Sequence, residues 1–413
     1  MESVEAFETR ARKWMAENMP PAGPEFDRYG PAVGSRTNDE DLALVARCRE
    51  LQRRMYDGGF AGICVPEEYG GQGLTPEHQA ALNRAVTGYE FAAYTQMPTF
   101  TPCMAVILDF GTEEQKRKHV PAILKGEEMW MQLLSEPSSG SDVAGALTTA
   151  IRDGDEWIVN GSKIWTSGAW WADWGLILAR TNWDVPKHRG LSVFMVDLRA
   201  PGVEIHRIEM LNGSREFCQE FLTDVRIPDS DRIGDVDQGW TVGVRWMYHE
   251  RTVSGGSPYV TMPVGRRAEG SGAPDLVRRM REAGRFDRPD TKQLIGEYRA
   301  NELVRTALTE RIADQIRSGA VSDQSAAIIR LFGGLSSTRN MTIAFELSRS
   351  TGAAWDPEVD DITGIGYLMR QVSCIGGGTT EMSRNVISER VLGMPRERTL
   401  DREVPFREVP RGG

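Results

Sequence analysis

Apolar residues recur at helical spacing through the first third of the chain. After Asp39-Glu40-Asp41, the residues Leu42, Leu44, Val45, Cys48, Leu51 and Met55 follow mostly at intervals of three and four, and Gly58-Gly59 closes the run. A turn-rich connector from Val65 to Gly73 comes next, and helical patterns then cover roughly Pro76 to Phe91 and Glu113 to Leu124. From about Met129 the period shortens. Trp157-Ile158-Val159, the stretches Trp174 to Ala179 and Leu191 to Val196, and Glu204-Ile205-His206 are short apolar or β-rich runs. Asp153-Gly154, Asn160-Gly161 and Pro201-Gly202 punctuate them as turn signals, so a compact β domain is expected to end near Ile233-Gly234. Gly239-Trp240 opens a second helical region, interrupted by Gly255-Gly256-Ser257-Pro258 and by the stretch from Gly270 to Pro274. Long helices are expected over roughly Lys292 to Arg317, Ser322 to Leu347 and Ile365 to Val391, with an irregular charged tail after Pro395.

Bulk properties narrow the classes of function. A chain of 413 residues exceeds one ordinary core, so two or three domains are expected. The net charge of -10, with no Lys/Arg-rich block, argues against a nucleic-acid partner. No run of about 18 apolar residues occurs, and the segment from Met1 to Pro20 lacks the apolar core of a signal peptide, so no membrane partner and a cytoplasmic location are expected. The five cysteines are odd in number, scattered and without a C-x-x-C pair; neither a disulfide framework nor a metal site is expected.

Candidate chemistry sits in two Gly/Ser/Thr-rich turns far apart in sequence. One runs from Gln132 through Leu134, Ser135, Glu136, Pro137 and Gly140 to Ser141 and Asp142. The other is Ile375-Gly376-Gly377-Gly378-Thr379-Thr380-Glu381-Met382-Ser383-Arg384-Asn385, where Thr379 or Thr380 is the natural N-cap of a following helix and three glycines leave amides uncovered. Backbone amides and hydroxyls in such turns suit a polyanionic or carbonyl-rich ligand. Between them lies Asn160-Gly161-Ser162-Lys163-Ile164-Trp165-Thr166-Ser167.

Together these segments resemble the acyl-CoA dehydrogenase superfamily, and the helical, then β, then helical order matches that family over most of the chain. The resemblance implies a multidomain α+β fold: an N-terminal all-α domain (1–127), a central β-sandwich or barrel domain (128–236), a C-terminal four-helix-bundle domain (237–396) and an irregular tail (397–413). It implies FAD as cofactor, with Gln132, Leu134, Ser135, Ser141, Trp165, Thr166, Ser167, Thr379 and Glu381 at cofactor-facing positions. It also implies an acyl-CoA substrate, touched by Ser141, Tyr248 and Arg251, an electron-transfer flavoprotein as acceptor, and a homotetramer or heterotetramer.

Removing hydrogens from Cα and Cβ of a thioester needs a base, a hydride acceptor and stabilisation of the enolate oxygen. Most family members carry the base just before the C-terminal Gly-Thr pair, where this chain has Gly377. A minority branch carries it on the first helix after the β domain, and Glu250 falls at that position, with the Gly377 amide left to bond the thioester oxygen. His249 is the rival base, but chain neighbours on a helix point about 100° apart, so both cannot face one site. The R-x-x-F-G element of many members has no clear match around Arg281, Arg285 and Arg288, and Pro289 is expected to break a helix there. The usual Gln-x-x-Gly-Gly stretch is missing around Trp355 to Asp361. Those gaps leave open a subunit of a hetero-oligomeric dehydrogenase with incomplete flavin sites of its own. A flavin oxidase or monooxygenase on the same fold is the third reading.

Overall fold

The computed structural model describes residues 2–22, 37–90, 93–252, 257–263, 272–354, 363–399 and 401–410. Gly255, Gly256, Gly270, Phe91 and the stretch from Trp355 to Asp361 lie outside them.

Six helices form the N-terminal part: α1 (Val4–Asn18), α2 (Asn38–Asp57), α3 (Pro76–Ala85), α4 (Ala93–Pro98), α5 (Ala105–Phe110) and α6 (Glu113–Leu124). Their ends are set by local chemistry. Thr37 and Glu40 make a reciprocal capping box at the start of α2, as Thr112 and Gln115 do for α6. On α1, Phe7, Ala11 and Met15 recur every four residues and are fully buried against Leu51, Phe60 and Leu82. α3 stops well short of Phe91 because Gly88 adopts φ 97°, a left-handed turn that no helix can pass through. Between α4 and α5, the segment 99–104 breaks helical geometry at Thr101 (φ -144°, ψ 115°).

Eight strands follow: β1 (Trp130–Leu133), β2 (Thr149–Asp153), β3 (Glu156–Ser167), β4 (Trp174–Arg180), β5 (Leu191–Asp197), β6 (Val203–Arg207), β7 (Phe217–Pro228) and β8 (Arg232–Ile233). They make one hydrogen-bonded sheet in the order β6-β7-β3-β2-β4-β5-β8, with β1 added parallel to β4. β2 and β4 share the single pair Thr149–Arg180, so the sheet divides there into two halves. Met131, Val159, Ile177, Phe194 and Val225 from both halves meet in one core, which gives the domain its sandwich character. Asn160-Gly161 does not turn the chain. Gly161 lies inside β3 at a register shift, with φ 155°, because a Cβ there would strike Thr148 at 2.5 Å. The long strand β7 left little trace in the hydrophobic pattern, since its alternate residues face solvent.

Among the described residues after the sheet, the helices are α7 (Gly239–Thr252), α8 (Ala273–Glu282), α9 (Pro289–Arg317), α10 (Ala326–Ser348), α11 (Ser350–Ala353), α12 (Thr363–Met369) and α13 (Thr380–Val386). Pro289 opens α9 rather than breaking it, since the first-turn N–H it lacks has no partner in a helix anyway. The single helix expected from Ile365 to Val391 is interrupted by the glycine turn, where Gly377 and Gly378 take φ 69° and 100°. The tail is irregular but docked: Phe406 is buried, stacks on Trp183 at 5.4 Å and lies 3.8 Å under the Arg180 guanidinium. No helix among the described residues is long and apolar enough to cross a membrane.

Candidate active site

β1 runs directly into the first Gly/Ser turn. Glu136 locks that turn by accepting from the Leu147 and Thr148 amides at 2.6 and 3.0 Å and from Lys163 Nζ at 2.8 Å. Lys163 comes from the interior face of β3 and is fully buried; it also donates to the carbonyls of Leu178 (2.7 Å) and Leu134 (3.3 Å). Burial raises the Glu136 carboxyl, but the adjacent ammonium outweighs it and holds the group below its ordinary value.

The Ser135 carbonyl accepts from the Ile164 amide at 2.9 Å, which brings the first turn against the third motif. At that point β3 bulges. The register slips between Ile164 and Thr166, and the extra residue, Trp165, stands out at φ 67° with 52% of its surface exposed. A left-handed tryptophan costs on the order of 1–3 kcal/mol and gains little from one edge contact with Phe217 at 5.9 Å, so packing does not explain it. Ser167 and Ser141 are also exposed. Thr166 points the other way: its hydroxyl is buried and donates to Glu220 at 2.9 Å, because alternate strand residues face opposite sides. Glu220 is itself fully buried, and desolvation pushes its carboxyl up to about 8.

On α7, Trp246 and Glu250 are one turn apart on the face that meets β1. The Trp246 indole N–H donates to Gln132 Oε1 at 2.7 Å, and the Gln132 carboxamide lies close enough to the Glu250 carboxylate to favour its charged form. Glu250 is closely surrounded by protein yet keeps partial access, as a residue at the floor of a recess does. Burial raises its carboxyl above the ordinary value, against the opposing pull of Arg251, Gln132 and Arg330. The Cys103 thiol lies within its field and is pushed up by burial and by the Glu250 charge.

His249 is oriented elsewhere. Its Nε2 sits 2.8 Å from Asp109, which also takes Arg245 Nε at 2.6 Å, and its carbonyl accepts from Thr101 at 3.1 Å. The imidazole therefore ties α7 to α5, and of the two candidate bases only Glu250 faces β1. Tyr248 packs beside Arg245 and His249 on the outer side, and Arg251 is exposed.

The C-terminal turn is clasped by a residue the motifs did not reveal. Arg330 on α10 donates to the Ser373 carbonyl at 2.5 Å and to the Gly376 carbonyl, and it lies within the field of Glu250. A Cβ on Gly377 would stand 3.9 Å from Arg330 Nε, so this guanidinium links the turn to the recess. Nothing in the pattern Ile329-Arg330-Leu331 distinguishes it from an ordinary helix-face cation. Thr379 is the N-cap of α13, accepting from the Met382 amide at 3.1 Å, whereas Thr380 is buried and its hydroxyl donates to the exposed Glu381 carboxylate. In the loop before α9, Arg288 is paired with Asp290 and Arg281 lies over Phe286. Arg285 has its Nε buried without a partner, near Arg349 and Arg288. Gln96, 1% exposed, is a second group without a hydrogen-bond partner among the described residues; it lies one helical turn before Thr99, whose hydroxyl bonds both backbone groups of Trp130.

Comparison with known proteins agrees with this plan. Residues 1–127 match the acyl-CoA dehydrogenase N-terminal domain and residues 132–225 its middle domain. The acyl-CoA dehydrogenase IpdE1 of Mycobacterium tuberculosis is 32% identical over 405 residues, covering 96% of this chain and 99% of that protein. Two solved structures share the fold over 96% of this chain and 99% of theirs. One, described as the Tcur3481-Tcur3483 steroid ACAD, has a TM-score of 0.76 at 26% identity. The other, the ChsE4-ChsE5 complex from Mycobacterium tuberculosis, has a TM-score of 0.71 at 25% identity. The chain is thus an oxidoreductase, in a class that is generally flavin-dependent. It belongs to the acyl-CoA dehydrogenase family.

Proposed function

We propose that this protein removes the α-proton and β-hydride of an acyl-CoA thioester to give the trans-2-enoyl-CoA, using FAD and passing electrons to an electron-transfer flavoprotein. The observation that carries this reading is the largely enclosed Glu250 carboxylate, within the influence of Gln132 from β1 and of Arg330, the guanidinium that clasps the glycine turn.

The residues present fit FAD. Trp165 is strained and 52% exposed, with an edge contact to Phe217 among the described residues; Ser141 and Ser167 are exposed, and nothing described lies within 4 Å of where a Cβ on Gly140 or Gly378 would stand. Leu134, Ser135, Thr379 and Glu381 complete the set that would hold it. When bound, FAD supplies the acceptor for the β-hydride. The chain's own groups do the rest. The Gly377 amide bonds the thioester oxygen and stabilises the charge that develops there. Burial holds the Glu250 carboxyl closer to the working pH, so it accepts the α-proton without being swamped by solvent. By resemblance to the family, Tyr248 and Arg251 are assigned to the substrate.

Glu250→Gln tests the assignment. The variant is expected to keep its FAD and lose substrate-dependent flavin bleaching by about 10²–10⁴-fold; unchanged bleaching removes Glu250 from the chemistry. An acyl-CoA panel should begin with a steroid-derived thioester, given the neighbour described as a steroid dehydrogenase.

A heteromeric assembly is a second reading with its own support. Leu303, Val304, Leu335, Leu368 and Ile375 are 44–61% exposed, and among the described residues the hydrophobic cluster between α8, α9 and α10 has five buried members. Of the structural neighbours above, one is described as the ChsE4-ChsE5 complex and the other carries the paired name Tcur3481-Tcur3483. Measuring mass and flavin content of the protein alone separates the cases. A yellow homotetramer excludes the requirement for a different subunit.

A further inference from the structure

Gln132 entered the sequence reading as a cofactor-facing position, yet its side chain engages α7. The indole N–H of Trp246 can only donate, so the carboxamide atom 2.7 Å from it is the oxygen. That fixes the orientation of the amide and leaves its NH2 group free to donate elsewhere. Trp246 and Glu250 are four residues apart, hence stacked on one face of α7, and the carboxamide lies near enough to the Glu250 carboxylate to favour its charged form. Three further bonds hold the backbones of β1 and α7 on either side of it. Thr99 bonds both backbone groups of Trp130 on β1, and Thr101 donates to the His249 carbonyl on α7.

We propose that Gln132 is a positioning residue for the catalytic base: oriented by Trp246, its carboxamide donates to the Glu250 carboxylate and holds it ionised and aimed at the substrate's α-carbon. This rests on the assignment of Glu250 as base. Among the described residues, the charged and titratable groups facing Glu250 are Arg251 on its own helix, Arg330 on α10 and the Cys103 thiol from the segment before α5. None of these is altered by a change at position 132. A donor to the ionised form stabilises it, so removing that donor moves the protonation of Glu250 to higher pH.

Gln132→Met keeps the volume and removes both polar atoms; Trp246→Phe keeps the ring and removes only the N–H that orients the amide. For Gln132→Met, the acid limb of the kcat/KM pH profile is expected to move up by about one unit, a roughly tenfold loss below it, with FAD content and flavin absorbance unchanged. Trp246→Phe should move the limb in the same direction by less. An unmoved limb in both variants overturns the proposal. So does a loss of FAD or an altered flavin spectrum in Gln132→Met with the limb in place, since that marks Gln132 as a cofactor contact. Glu250→Gln run beside them separates the two layers. If it retains activity, the base assignment fails; if it is inactive and the limb does not move, only the role of Gln132 fails.

Discussion

Lys163→Met attacks the buried pair that shapes the first turn, and its cost follows from the contacts. Lys163 Nζ serves three acceptors: Glu136 Oε1 at 2.8 Å, the Leu178 carbonyl at 2.7 Å and the Leu134 carbonyl at 3.3 Å. Methionine fills the space but satisfies none of them. Glu136 keeps its two backbone donors and loses its counter-charge inside a side chain only 3% exposed. Breaking a buried pair from one end costs about 3–5 kcal/mol, most of it the stranded carboxylate. The Leu134 carbonyl belongs to the turn that meets β3 beside Trp165, so FAD retention should fall with stability. Urea denaturation followed by tryptophan fluorescence measures the first effect, and bound flavin per chain the second. The double variant Lys163→Met/Glu136→Gln, with no charge left to strand, should recover at least half of the loss. A single-variant loss under about 1 kcal/mol, or a double variant no better than the single, refutes the reasoning. The pH dependence adds a check on sign. Because Lys163 holds the Glu136 carboxyl below its unfolded value, the wild-type contribution is present above that unfolded value and is lost as pH falls through the depressed folded one.

Glu220 should behave in the opposite sense. Its carboxyl is raised from 4.5 to about 8, so the stabilisation is complete below about pH 4.5 and is lost as pH rises toward 8; Glu220→Gln should flatten that decline in a pH series of thermal melts, leaving the variant more stable at pH 8. Trp165→Gly should raise apoprotein stability by about 1 kcal/mol by relieving the left-handed strain, while lowering FAD occupancy in the same preparation; destabilised apoprotein would mean that the indole serves packing. Gln96→Leu removes two buried, unsatisfied polar atoms and should raise the melting temperature, with about 1–3 kcal/mol gained; a lower melting temperature would show that the carboxamide has a structural partner.

The legible parts of this chain were those whose signals are local. The α2 and α6 boundaries follow from Thr-x-x-Glu and Thr-x-x-Gln boxes written into the sequence. The exposed glycine turn follows from three consecutive glycines ahead of a capping threonine. What stayed hidden depends on partners distant in sequence. Gly161 reads as a hairpin signal until Thr148 is seen pressing on its Cα, which makes it a bulge inside a strand. Pro289 reads as a breaker, yet the first turn of α9 tolerates it because no N–H is needed there. Arg330 and Gln132 carry no motif that would announce a shared carboxylate; only the packing of α10 and β1 around α7 brings them to Glu250.

That packing also explains why a base suits α7 better than the glycine turn in this chain. A glutamate at position 377 would have to hold φ near 69°, at roughly 1–2 kcal/mol for an L-residue, with its Cβ 3.9 Å from the Arg330 Nε. A guanidinium that close favours the ionised carboxylate and lowers its proton affinity, which is the wrong direction for a base working near neutrality. Glu250 also lies within the field of that guanidinium, but there burial is the largest influence and raises its proton affinity. Arg330 is left to hold the turn by two carbonyls, Ser373 and Gly376, so the Gly377 amide stays fixed while the proton acceptor approaches from another element. On the function proposed above, the two tasks of enolate formation, steadying the oxygen and taking the proton, are divided between the backbone of the glycine turn and a side chain on α7.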